Sequence, residues 1–110
     1  MSEGIQIIDP EERFEVALEG AVLVMRRLDS ATMAAIERRH AGERAKAQAN
    51  EDALDYILLD WRGVKSPLGQ AEVPCTRENK LRLPTAVKLK LLAAAQGPRA
   101  EGLPEKPNSN

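Results

Sequence analysis

Phe14, Val16 and Leu18 alternate with Glu15, Ala17 and Glu19, a period of two that predicts a half-buried strand. Val22-Leu23-Val24-Met25 follows, with β-branched residues at 22 and 24 that favour a second strand. Between the two runs, Glu19-Gly20-Ala21 is a turn in which Gly20 can take positive φ. Residues 12–28 therefore predict an antiparallel β-hairpin. A lone hairpin is marginal in water, so this one needs a further strand or a layer of helices. Ile5, Ile7 and Ile8, ended by Asp9-Pro10, offer a short third strand; otherwise residues 1–11 are a loose arm.

The pattern then changes period. Leu54, Ile57, Leu58 and Trp61 fall at i, i+3, i+4 and i+7, the stripe of an amphipathic helix, with Asp55 and Asp60 off the stripe. Asn50 is a suitable N-cap before it, and Gly63 a left-handed stop after it. Upstream, Asp29 or Ser30 caps a helix with Met33, Ile36 and His40 on one face. The expectation is a helical hairpin, helix 30–41 and helix 51–62. The joint between them, 43–49, is helix-favouring in composition but holds no large apolar residue, so it is an exposed helical extension or a connector. Trp61 is the one Trp in a chain with one Tyr and one Phe, and it can bury more area than any other side chain here, so the core is expected around it.

Residues 63–75 form a loop punctuated by Gly and Pro. Ser66-Pro67-Leu68-Gly69 predicts a β-turn, and Val64 and Val73 can pair across it as a small ribbon. Thr76 is an N-cap for a short turn of helix. Pro84 suits the first position of a last helix, whose stripe is Val87, Leu91 and Ala94, widened by Leu92 and Ala95, with Lys88 and Lys90 facing water. Gly97-Pro98 ends it, and the composition of 97–110 predicts a disordered tail. The chain thus divides into an arm at 1–11, a single α+β domain at 12–96 and a tail. Its fold class is α+β, with the hairpin packed on three to four short helices.

Composition narrows the function classes. Sixteen basic against seventeen acidic residues leave a net charge of −1, which argues against a nucleic-acid binder and gives no electrostatic reason to sit on an anionic membrane. There is no apolar run of membrane-spanning length and no basic, apolar leader at the start. Cys75 is the single cysteine and has no internal disulfide partner, which fits a reducing cytoplasm.

No catalytic constellation emerges from the spacing, and no catalytic, cofactor-binding or metal residue is assigned. His40 is the one histidine, with no Ser or Cys nucleophile beside it in any local motif; a helix-end position near the C-terminal dipole is the simpler reading. Cys75 precedes a helix N-terminus, which can lower a thiol pKa, yet a small, partly buried residue is the better reading. One Cys and one His are too few for zinc. Asp52 and Asp55, at i and i+3, can share a cation, with Glu51 and Asp60 nearby, but acidic residues at a helix start also complement the dipole. No glycine-rich phosphate loop is present. The pairs Arg26-Arg27 and Arg38-Arg39 sit amid Glu and Asp, and a solvated face is the simpler reading for each. The charged run 37–46 is either a partner-binding face or plain solvation.

The order of parts resembles the tail assembly chaperones of tailed phages. Four stretches carry the resemblance, from about residue 12 to 95. They are the strand pair ending Val24-Met25-Arg26-Arg27-Leu28-Asp29; the segment 53–60 running into Trp61-Arg62-Gly63-Val64; Gly69, then Glu72-Val73-Pro74-Cys75-Thr76 with Glu78-Asn79; and Leu83-Pro84 with the closing helix. Each motif is short, and their order carries the weight. The resemblance implies a protein that is not an enzyme and uses no cofactor. It implies binding to the tape measure protein, a long and largely helical partner, in the cytoplasm of a bacterial host, keeping it soluble until tail-tube protein polymerises around it. It further implies that a longer, frameshifted form can exist, and it leaves open whether the chain forms a homo-oligomer. Two other classes stand beside it: a tail or head–tail connector component that stays in the virion, and a small accessory subunit or enzyme using Cys75 or His40.

Overall fold

Sheet and helices are joined by one bulged strand that continues directly from a helix. The computed structural model describes residues 4–69 and 71–97. Its elements run β1 (Arg13–Leu18), β2 (Ala21–Arg26), α1 (Ser30–Glu37), α2 (Ala45–Ile57), β3 (Leu58–Arg62), α3 (Arg77–Leu81) and α4 (Thr85–Gln96). The three strands form one antiparallel sheet in the order β1-β2-β3. The fold class is α+β, as the sequence predicts.

The hairpin forms where alternation places it. Leu18 pairs with Ala21 to close a two-residue turn, in which Glu19 has φ +51° and Gly20 φ +85°. Two positive φ values make this the turn whose twist matches the flanking strands. The third strand is not drawn from 5–8. Those residues carry no strand, and Ile5 and Ile7 are almost fully exposed. It comes instead from 58–62, which the periodicity assigns to a helix.

That helix is corrected at both ends. It begins at Ala45, so the Ala-rich joint is its first half and Asn50 lies in its interior rather than at its cap. It ends at Ile57, where Leu58 turns to extended backbone (φ −96°, ψ 111°). From there Trp61 pairs with Leu23, Asp60 with Val24 and Leu58 with Met25. Two partners one residue apart on β2 face two that are two apart on β3, so Leu59 is the extra residue of a β-bulge. The bulge lets Leu58 and Trp61, three apart, both turn inward. Ala49 and Ala53 are buried on α2 because a small side chain lets neighbouring elements approach closely.

Helix α1 is shorter than predicted. Asp29 caps it by accepting from the Thr32 N–H (2.7 Å), and it stops at Glu37, leaving His40 beyond its end. Thr76 caps α3 through Asn79 N–H (3.2 Å). Pro84 sits one residue before α4, at its cap, and Gly97 follows its end. Lys88 does not extend into water; its Nζ donates to the Leu81 carbonyl at 3.0 Å. The core joins Leu23 and Met25 of β2, Leu28, Ile36 of α1, Leu54 and Ile57 of α2, Leu58 and Trp61 of β3, and Leu91 and Ala95 of α4. Among the described residues no helix is long and apolar enough to cross a membrane. The predicted tail, beyond Gly97, lies outside the described residues.

Candidate functional site

Trp61 is where separate sequence motifs meet. Its indole is 5% exposed, and its Nε1–H donates to the Val73 carbonyl at 2.7 Å. The Val73 N–H donates to the Val64 carbonyl at 2.9 Å, and Lys65 and Glu72 form a bridge, so the predicted ribbon exists. Its turn closes through Gly69 N–H to the Ser66 carbonyl at 3.3 Å. Asn79 Nδ2 then donates to the Pro74 carbonyl at 2.9 Å, tying α3 to the same loop. Gly63, at φ +83°, lies against the hairpin turn: a Cβ there would come 2.9 Å from the Gly20 carbonyl oxygen and 3.1 Å from the Ala21 Cα. Only glycine fits both the angle and the approach.

Asp52 and Asp55 each hold basic side chains from other parts of the chain. His40 Nε2 lies 2.8 Å from Asp52 Oδ2, and Arg77 donates to Asp52 at 2.8 Å and to Asp55 at 3.3 Å. Arg39 lies 3.7 Å from Asp52. The buried Lys80 donates to the Asp55 carboxylate at 3.0 Å and to its backbone carbonyl at 3.1 Å. The His40 and Arg77 hydrogen bonds keep the Asp52 carboxyl below its ordinary value. This network fastens the α1–α2 connection and α3 onto α2. His40 therefore has an acid partner that its helix-end reading did not include. Among the described residues no group of three or more His, Cys, Asp and Glu side chains is arranged to hold a metal ion.

Cys75 is half-buried, and burial pushes its thiol pKa up. That is the opposite of what a reactive thiol requires. Arg26 and Arg27 do not form a solvated pair. Arg27 is buried, stacks on Phe14 (3.9 Å to the ring centre) and donates to the Ala94 carbonyl at 3.0 Å, closing the C-terminal end of α4. It also lies 3.6 Å from Glu12. Arg26 stacks on Tyr56 (4.4 Å). Arg38 and Arg39 are exposed, as predicted.

One concave surface combines an apolar wall with a polar rim. It lies between α2 and α4 and encloses about 270 Å³. Leu54, Leu89 and Leu92 give it an apolar wall, Ala47 keeps it open, and Asn50, Glu51, Thr85 and Lys88 form its polar rim. Leu89 is 57% exposed. Amphipathic helices dock in grooves with an apolar wall of this kind. The sequence carries a signal for it: Leu89 lies off the Val87-Leu91 stripe, on the face expected to be polar. Compared with protein-family models, curated proteins and solved structures, the chain matches none.

Proposed function

We propose that this protein is a tail assembly chaperone of the tailed-phage kind. It binds the tape measure protein in the cytoplasm of the bacterial host and keeps that long helical chain soluble until tail-tube protein encloses it. The observation that carries the reading is the convergence of the motifs. Trp61 and Val64, then Val73 and Pro74, then Thr76 and Asn79 are separated in sequence yet joined by hydrogen bonds, and Gly63 packs against the hairpin turn at Gly20-Ala21. Motifs that build one structural unit have a reason to occur together and in that order.

The α2–α4 groove supplies the contact. An amphipathic client helix lays its apolar face on Leu89 and Leu92, and its flanking polar residues meet Glu51 and Lys88. Co-expression with the cognate tape measure protein tests the reading. The client is expected to stay soluble and co-purify with this chain. A client that is equally soluble without the chain, and does not co-purify, would overturn it. Mass spectrometry of finished virions separates the chaperone from a structural tail component: the chaperone is expected to be absent.

A further inference from the structure

β1 is an edge strand of the sheet. Leu18 and Ala21 close the hairpin as a bonded pair, so by alternation Val16–Leu23 and Phe14–Met25 are bonded pairs as well. The N–H and C=O groups of Arg13, Glu15 and Ala17 consequently turn away from β2. Among the described residues no strand pairs with that side. Exposed strand edges are ordinarily blunted by proline, a bulge, an inward charge or charged side chains along the edge. β1 has no proline, bulge or inward charge, since its inward residues are Phe14, Val16 and Leu18; its charges are Arg13 and Glu15 on the outer face. The opposite edge of the sheet is blunted: β3 carries the bulge, and the outward N–H of Trp61 is taken by Asp60 Oδ1 at 2.8 Å.

We propose that the β1 edge pairs antiparallel with β1 of a second copy, about a two-fold axis at Val16, joining two three-stranded sheets into one. Charge and apolar matching select both the occupant and the register. Centred on Val16, Phe14 meets the partner's Leu18 and Val16 meets the partner's Val16, so three half-buried apolar side chains from each copy gain apolar neighbours. On the other face Glu15 meets the partner's Ala17. Centring on Glu15 sets that carboxylate against the partner's Glu15. Centring on Ala17 carries Phe14 past the partner's Leu18 to Gly20 in the turn and leaves it without an apolar partner. Centring on Phe14 sets Glu12 against the partner's Val16 and leaves Leu18 uncovered. One register therefore avoids opposed acids and pairs every inward apolar residue.

The test is sedimentation equilibrium over a concentration series on the full chain, with Ala17→Glu and Ala17→Lys beside the wild type. Ala17 is exposed, so both variants should keep the wild-type circular dichroism. Ala17→Glu places an acid opposite the partner's Glu15 twice per dimer, and the dissociation constant is expected to rise by roughly two- to thirtyfold. Ala17→Lys places a base there, and the constant should fall over a similar range. A chain that stays monomeric throughout, or a dimer indifferent to the sign of the charge at position 17, would overturn the proposal.

Discussion

Gly63 and Trp61 are two residues apart and do different work. Gly63 combines φ +83° with a backbone neighbour 2.9 Å from where a Cβ would stand. Gly63→Ala therefore adds both strain and a clash, and is expected to lower unfolding free energy by about 2–4 kcal/mol in urea titrations. A shift below half a kcal/mol would mean the hairpin turn moves freely aside. Trp61→Ala removes the largest buried side chain and the donor to Val73. A loss of about 3–5 kcal/mol is expected, and an unchanged melting temperature would remove Trp61 from the core. Cys75 makes a kinetic prediction. With its thiol pKa raised by burial, a disulfide reagent at pH 7 should modify it many times more slowly in the folded chain than in urea. Equal rates would contradict the burial. Gly63 was legible in the sequence as a left-handed position, but the approach of Gly20, forty-three residues earlier, was not.

At the scale of elements, the correction over 53–64 has one physical origin. A strand normally places inward residues two apart, and the bulge at Leu59 sets Leu58 and Trp61 three apart. Added to Leu54 and Ile57 at the end of α2, that spacing reproduces a helical stripe. All four positions are buried, so the pattern identified the core while misassigning the element. The hairpin, the 64–73 ribbon and the caps at Asp29 and Thr76 were legible because each depends on a few adjacent residues. The ion network was not, because His40, Asp52, Arg77 and Lys80 come from different elements and nothing local pairs them. That network yields a pH prediction. The Asp52 carboxyl has a folded pKa below the 3.8 of the free group, so its contribution is fully present above that value and is lost as pH falls through the folded pKa. Asp29, lowered by the Thr32 N–H, acts in the same direction. Stability should decline as the pH falls below the 3.8 of the free carboxyl, and Asp52→Asn should flatten that decline. Urea midpoints at successive pH values give the slope; parallel curves for both proteins would deny Asp52 its part.

Across the whole molecule, the sheet, the bulged strand and the Trp61 unit hold α2 and α4 so that a groove opens between them. Leu89 is its exposed apolar residue and lies outside the buried core. The chaperone reading requires that this side chain serve binding rather than folding. The direct measurement is Leu89→Glu in co-expression with the tape measure protein, alongside thermal unfolding of the variant alone. The account predicts a melting temperature within a few degrees of the wild type, because substitutions at exposed positions usually change stability by less than about 0.5 kcal/mol, together with loss of client co-purification and solubility. A stable Leu89→Glu protein that retains its client as fully as the wild type would contradict the account.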